Sequence, residues 1–320
     1  MPTSRTGEGS GRRRDESRRG TQECVRHENR HGSRGFSGLV LQASFYPLGY
    51  PVEIVSSEAA VLETASELWA TWPRLFDAPP VRIEVNVHRG SPPLSRPGFT
   101  LLPGLLRFCS DEMNFAEFDE ASCCGSIRIA NEALGSPLFR HYFLETLALT
   151  ALDAIFFTPL HAACISRAEV GTLLCGDSGA GKSSLAYACA RRGWTLVSDD
   201  AVHLAPGSAR IGVGASRVIR LREPGADPTA EQTIEIDAAG QGLRTAPSAA
   251  LGQCIFLRRR PGPAAWREMH PNAALNYFLK YLVPRYTARA RTHLHEFLDS
   301  PVRALEYEHI EEAAAMLEAL

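Results

Sequence analysis

Nine consecutive residues, Gly176, Asp177, Ser178, Gly179, Ala180, Gly181, Lys182, Ser183 and Ser184, spell the pattern G-x-x-x-x-G-K-[ST] followed by a second serine. Such a stretch suits the binding of polyphosphate. Triphosphate oxygens crowd negative charge into a small volume and need many donors close together. Glycines bend the backbone tightly and let it approach with no Cβ in the way, so successive N–H groups face the phosphates. In this pattern Lys182 reaches the β- and γ-phosphates and the Ser183 hydroxyl sits on Mg²⁺. The partly positive N-terminus of the next helix adds to the field. Of 34 Lys and Arg residues, only Lys182 and Lys280 are lysines. At position 182 a flexible ammonium fits where a guanidinium fork is bulkier and less adaptable.

Two carboxylates, Asp199 and Asp200, follow shortly after. Successive strand residues point opposite ways, so one of the pair is free to hold Mg²⁺ while the other accepts a proton from an incoming hydroxyl.

Three elements must position these groups. Gly171–Cys175 is a short apolar run, as a buried parallel strand requires. After the loop, Leu185, Ala186 and Cys189 fall at helical spacing, and Arg191-Arg192-Gly193 reads as a cationic last turn with a glycine stop. Trp194, Leu196 and Val197 then form a second short strand, with the aspartates at its C-terminal end. That is the sheet edge where ligands bind in open α/β folds. Residues 158–166 predict a strand with His161 at its start.

His161, the Gly176–Ser183 loop, Arg192-Gly193 and Val197-Ser198-Asp199-Asp200 together resemble the catalytic domain of HPr kinase/phosphorylase, and the paired aspartates are similar to those of phosphoenolpyruvate carboxykinase. The resemblance implies ATP on the loop and a divalent metal on Ser183. It also implies Asp199 as base toward a protein serine, Asp200 as metal partner and His161 as an active-site neighbour, and counts Lys182 with the catalytic groups. It covers residues 158–205 well and 158–260 loosely. The segment Val218–Gly225, with Glu223 as a candidate further metal ligand, matches that family poorly, which leaves HPr as substrate and phosphorylase activity open.

A chain of 320 residues allows two domains, and a formal net charge of −2 gives no global pointer to nucleic acid or membrane. The eight cysteines include no C-x-x-C pair, which with the lack of an apolar leader predicts reduced thiols in the cytoplasm. Residues 1–35 hold nine Arg and five acidic residues with almost no large apolar side chain. That composition predicts a solvated, disordered tail. Residues 36–136 predict a mixed α+β domain and 137–320 the P-loop kinase domain with C-terminal helices; the resemblance implies an α/β fold of the HPr kinase/phosphoenolpyruvate carboxykinase type. Within the first, Ser57 predicts a helix cap, residues 81–87 a half-buried strand and the acidic stretch 111–120 a solvated loop. Residues 138–157 predict a buried joining helix.

The function these features imply is an ATP-dependent kinase acting on a hydroxyl, a serine in a protein or peptide. A nucleotide-binding switch without phosphoryl transfer and a small-molecule kinase are the alternatives, and a homo-oligomer is left open.

Overall fold

The computed structural model describes residues 40–90, 93–207, 210–214, 218–222, 233–282, 286–299 and 301–320. The predicted tail, residues 1–35, and Glu223 lie outside these residues.

Among the described residues the first sheet has seven strands: β1 (Leu41–Phe45), β2 (Val52–Ser56), β3 (Val81–His88), β4 (Gly98–Leu102), β5 (Leu105–Cys109), β6 (Phe115–Asp119) and β7 (Cys124–Ala130). Their order is β1-β2-β3-β7-β6-β5-β4. Val81, Ile83 and Val85 of β3 are buried and alternate with Arg82 and Glu84, the period of a strand with one covered face. Helix α1 (Ala59–Trp69) covers that face with Val61, Ala65 and Trp69. Ser57 does not cap it: Glu58 is the N-cap and makes no side-chain cap bond, while Ser56 Oγ accepts from the Glu58 N–H at 3.2 Å. The acidic stretch is also not a loop throughout. Ala116 and Phe118 of β6 are fully buried, so Glu117 and Asp119 project from the other side of a paired strand.

A π-helical segment, Phe139–Thr146, runs directly into α2 (Leu147–Ile155). Phe139, Phe143, Leu144, Leu147, Ala148, Ala151 and Leu152 have no exposed surface. No helix among the described residues is long and apolar enough to cross a membrane.

The second sheet begins with β8 (Thr158–His161), β9 (Ala163–Arg167) and β10 (Val170–Cys175), followed by α3 (Lys182–Arg191), β11 (Thr195–Ser198), β12 (Ala201–Leu204) and β13 (Ile211–Gly214). A separate hairpin, β14 (Val218–Arg222) and β15 (Thr233–Asp237), comes next. Then follow β16 (Ser248–Arg259), β17 (Ala265–Glu268), α4 (Pro271–Lys280), α5 (Thr287–Leu298), β18 (Val302–Tyr307) and α6 (Ile310–Glu318). The main path is β11-β9-β10-β16-β13-β12-β8, with β18 on β16 and β17 on β18. Strand β10 pairs parallel with β16, and β16 parallel with β18.

Strand β9 runs antiparallel to both β10 and β11, so those two share a direction. Leu174 pairs with Ala163, and Ser198 with Cys164. The C-terminal ends of β10 and β11 therefore flank the start of β9. The stretch expected as one strand over 158–166 is two, split at Ala162. His161 ends β8 rather than opening a strand, because β8 pairs with β12 while β9 pairs with β10 and β11. The break delivers His161 to the edge where β10 and β11 end.

Helix α2 is tied to the second sheet. His203 Nδ1 of β12 lies 2.7 Å from Asp153 Oδ1, and Arg289 of α5 donates to the carbonyls of Asp153, Ala154 and Phe157.

Candidate functional site

The loop between β10 and α3 holds Gly176, Gly179 and Gly181 at φ of 147°, 83° and 95°. At Gly181 glycine is demanded twice. The positive φ strains any L side chain, and a Cβ there would lie 2.2 Å from the Tyr307 hydroxyl oxygen. That hydroxyl donates to Ala180 O at 2.6 Å, so β18 braces the loop from beneath. Helix α4 braces it from the side. The Tyr277 hydroxyl donates to Gly176 O at 2.6 Å and accepts from Gly176 N at 3.0 Å. Burial pushes the Tyr277 phenol well above its usual range, against the Gly176 contact, which lowers it.

Lys182, the first residue of α3, is 7% exposed. Its ammonium donates to Gly176 O at 2.8 Å and meets His161 Nε2 at 3.0 Å. Burial lowers its pKa, opposed by the nearby carboxylate of Asp200. An ammonium only donates, so His161 Nε2 accepts. The neutral ring then carries its proton on Nδ1, the atom 3.4 Å from Asp200 Oδ1. Burial and the adjacent Lys182 charge hold His161 below its ordinary pKa, consistent with a neutral imidazole.

The two aspartates occupy opposite environments. Asp199 is 1% exposed. Its Oδ2 accepts from Arg220 N of β14 at 2.8 Å, and its Oδ1 is buried without a hydrogen-bond partner among the described residues. Burial raises its pKa, and the neighbouring Asp200 adds to the effect. Asp200 has a side chain 60% exposed, facing His161. Ser183 Oγ donates to Asp199 O at 3.4 Å, which joins the serine of the loop to the end of β11. Lys182, Ser183, His161, Asp199 and Asp200 are thus brought together. Ser178 and Gly179 stand on the exposed side of the loop, and Ser184 follows Ser183 in the first turn of α3.

The Asp177 carboxylate meets the end of α4. Its Oδ1 accepts from Tyr281 Oη at 2.9 Å and from Lys280 Nζ at 3.2 Å. The two donors, Tyr281 foremost, hold its carboxyl below the usual range. The Tyr281 ring lies 5.0 Å from that of His161.

Sequence reasoning missed Tyr277, Lys280, Tyr281, Tyr307 and the Arg220 backbone. Each belongs to an element far from the loop in sequence. The one available signal was Lys280, the second lysine in an arginine-rich chain.

Among the described residues no group of three or more His, Cys, Asp or Glu is arranged to hold a metal ion. A loop of this kind needs no such cage. Mg²⁺ keeps several waters and binds through one or two carboxylates plus substrate phosphates. Asp199, whose backbone carbonyl takes the Ser183 hydroxyl and whose buried Oδ1 has no hydrogen-bond partner among the described residues, fits that requirement.

Residues 156–220 match the family model of the HPr Serine kinase C-terminal domain. None of the curated proteins matches the chain. A solved structure, the Hpr(Ser) kinase/phosphatase from Coxiella burnetii, is similar at 19% identity over 51% of this chain and 92% of that chain, with a TM-score of 0.31. Over residues 156–220, the segment that holds the loop, His161 and both aspartates, the chain is HPr-kinase-like.

Proposed function

We propose that the chain is an ATP-dependent kinase of the HPr-kinase-like type, transferring the γ-phosphoryl group to the serine hydroxyl of a protein or peptide. One observation carries this reading. A phosphate loop whose serine bonds the main chain of Asp199, the buried carboxylate of that same residue, and the exposed Asp200 carboxylate facing a neutral histidine converge on one sheet edge.

The backbone N–H groups of Gly179–Ser184 and the Lys182 ammonium would take the phosphates. Ser183 and Asp199 would hold Mg²⁺, which neutralises charge on the β- and γ-oxygens. This exchanges the roles expected from the sequence, where Asp199 was the base and Asp200 the metal partner. The reason is access. A base must be reached by an incoming hydroxyl at about 2.6–3.2 Å. Asp199 is enclosed and pinned by Arg220 N, whereas Asp200 is open to solvent. The serine proton passes to the Asp200 carboxylate and the serine oxygen bonds to the γ-phosphorus. The bond from that phosphorus to the β,γ-bridging oxygen breaks, and ADP leaves. His161, proton on Nδ1, steadies Asp200 from beside.

We place the reaction in the cytoplasm, where ATP is supplied. Residues 137–320 are taken as the kinase unit and residues 36–136 as a separate α+β domain.

Incubation with γ-labelled ATP, Mg²⁺ and candidate proteins encoded nearby in the genome, followed by phosphosite mapping, tests the reading. Labelled phosphoserine on one of them is the expected result. Nucleotide binding without transfer or turnover would replace the kinase by a nucleotide-dependent switch.

A further inference from the structure

We infer that Lys280 is a second phosphate-binding cation, sharing its charge between Asp177 and the terminal phosphate of a bound nucleoside triphosphate. This rests on the phosphate-loop reading above and names the ligand group that the last turn of α4 serves. The chain has turned almost every basic position over to arginine, yet both of its lysines, Lys182 and Lys280, meet the same loop. A compact, adaptable ammonium suits a crowded phosphate where a planar fork does not.

The end of α4 is fixed against the loop at three points. Tyr277 bridges both backbone groups of Gly176. The Tyr281 hydroxyl bonds Asp177, and its ring packs on His161. Lys280 Nζ is 5.2 Å from the Tyr281 ring centroid and 3.2 Å from Asp177 Oδ1. The ammonium is thereby held at the loop mouth on the side of His161 and Asp200, where the γ-phosphoryl group must face its acceptor. Lys280 and Asp177 are both mostly exposed, and an exposed ion pair stabilises a fold very little. Fold stability alone gives no reason for placing a lysine there. A simpler role would be to offset the Asp177 carboxylate, which repels phosphate from within the loop. The two roles separate by experiment. A cation that meets the terminal phosphate discriminates ATP from ADP, and continues to do so when Asp177 is uncharged.

The test is calorimetric affinity for MgATP and MgADP in the full chain, Lys280→Met, Asp177→Asn and the double variant, with melting temperatures to confirm folding. Lys280→Met should lower ATP affinity about tenfold, the loss of one charge-assisted contact, with much less effect on ADP. The same loss should appear when Asp177→Asn is the background. A loss that disappears in that background would reduce Lys280 to a neutraliser of Asp177. An equal loss for ATP and ADP, or none, would also overturn the inference. Lys182→Ala separates the two levels of the account. If it weakens nucleotide binding while Lys280→Met does not, only the inference fails. If the parent binds neither nucleotide, the phosphate-loop reading fails and takes the inference with it.

Discussion

Lys182 Nζ and His161 Nε2 stand 3.0 Å apart, an ammonium donating to an imidazole that a proton would turn into a like charge. The contact fixes the protonation of the site. His161 stays neutral, its Nδ1–H turned toward Asp200, and Lys182 keeps its charge for phosphate. Replacing Lys182 by Ala removes the neighbouring charge that helps hold the His161 pKa down. Imidazole titration by NMR should show the His161 pKa moving upward in Lys182→Ala. An unchanged value would mean that burial alone sets it.

The same variant should lose nucleotide affinity about tenfold or more, because charge-assisted contacts are commonly worth about 1.5–3 kcal/mol. Calorimetry with MgATP measures it. Equal affinity in variant and parent would remove Lys182 from the phosphate site.

Asp199 makes a stability prediction whose sign is unusual for a carboxylate. Its folded-state pKa is raised by burial, so the native state binds the proton more tightly than the unfolded chain. Stability from this group is present below the unfolded value near 3.9 and is lost as pH rises through the folded pKa. Asp199→Asn has no such loss. The stability of the variant relative to the parent should therefore increase between pH 4 and pH 7 in urea unfolding. A difference that is flat or falls with pH would show that Asp199 is not held in a charge-disfavouring site.

Gly181→Ala should damage the loop more than an ordinary surface change. The residue sits at φ 95°, and the new Cβ would meet the Tyr307 hydroxyl at 2.2 Å. Either the hydroxyl leaves Ala180 O or the loop shifts, and nucleotide affinity falls in both cases. Gly179→Ala meets no neighbouring atom within 4 Å and serves as the milder comparison. Comparable ATP affinity in Gly181→Ala and the parent would contradict the bracing role given to Tyr307.

The loop, the strands on either side of it and the paired aspartates were legible because their chemistry is local. Glycine spacing, an apolar run and a helical repeat are written within a few residues of each other. The bracing was not legible. Tyr277, Lys280 and Tyr281 reach the loop only because β16 pairs with β10 and carries α4 across, and Tyr307 only because β18 pairs with β16. No spacing in the sequence encodes those encounters. The break at Ala162 was missed because residues 158–166 read as a single strand, while pairing to different partners divides it. Burial of Asp199 against exposure of Asp200 was likewise hidden. Alternation says that neighbours face opposite ways, not which one β14 will cover.

Phosphoryl transfer in Asp199→Asn and Asp200→Asn, with ATP affinity followed in parallel, tests the assigned chemistry most directly. Asp200→Asn removes the exposed base, so transfer to the identified substrate should drop by about 10²–10⁴ with nucleotide affinity little changed. Asp199→Asn removes the carboxylate assigned to Mg²⁺, so Mg²⁺ dependence and nucleotide binding should weaken together. Full transfer by Asp200→Asn, or the two phenotypes exchanged, would contradict the account and return the base to Asp199.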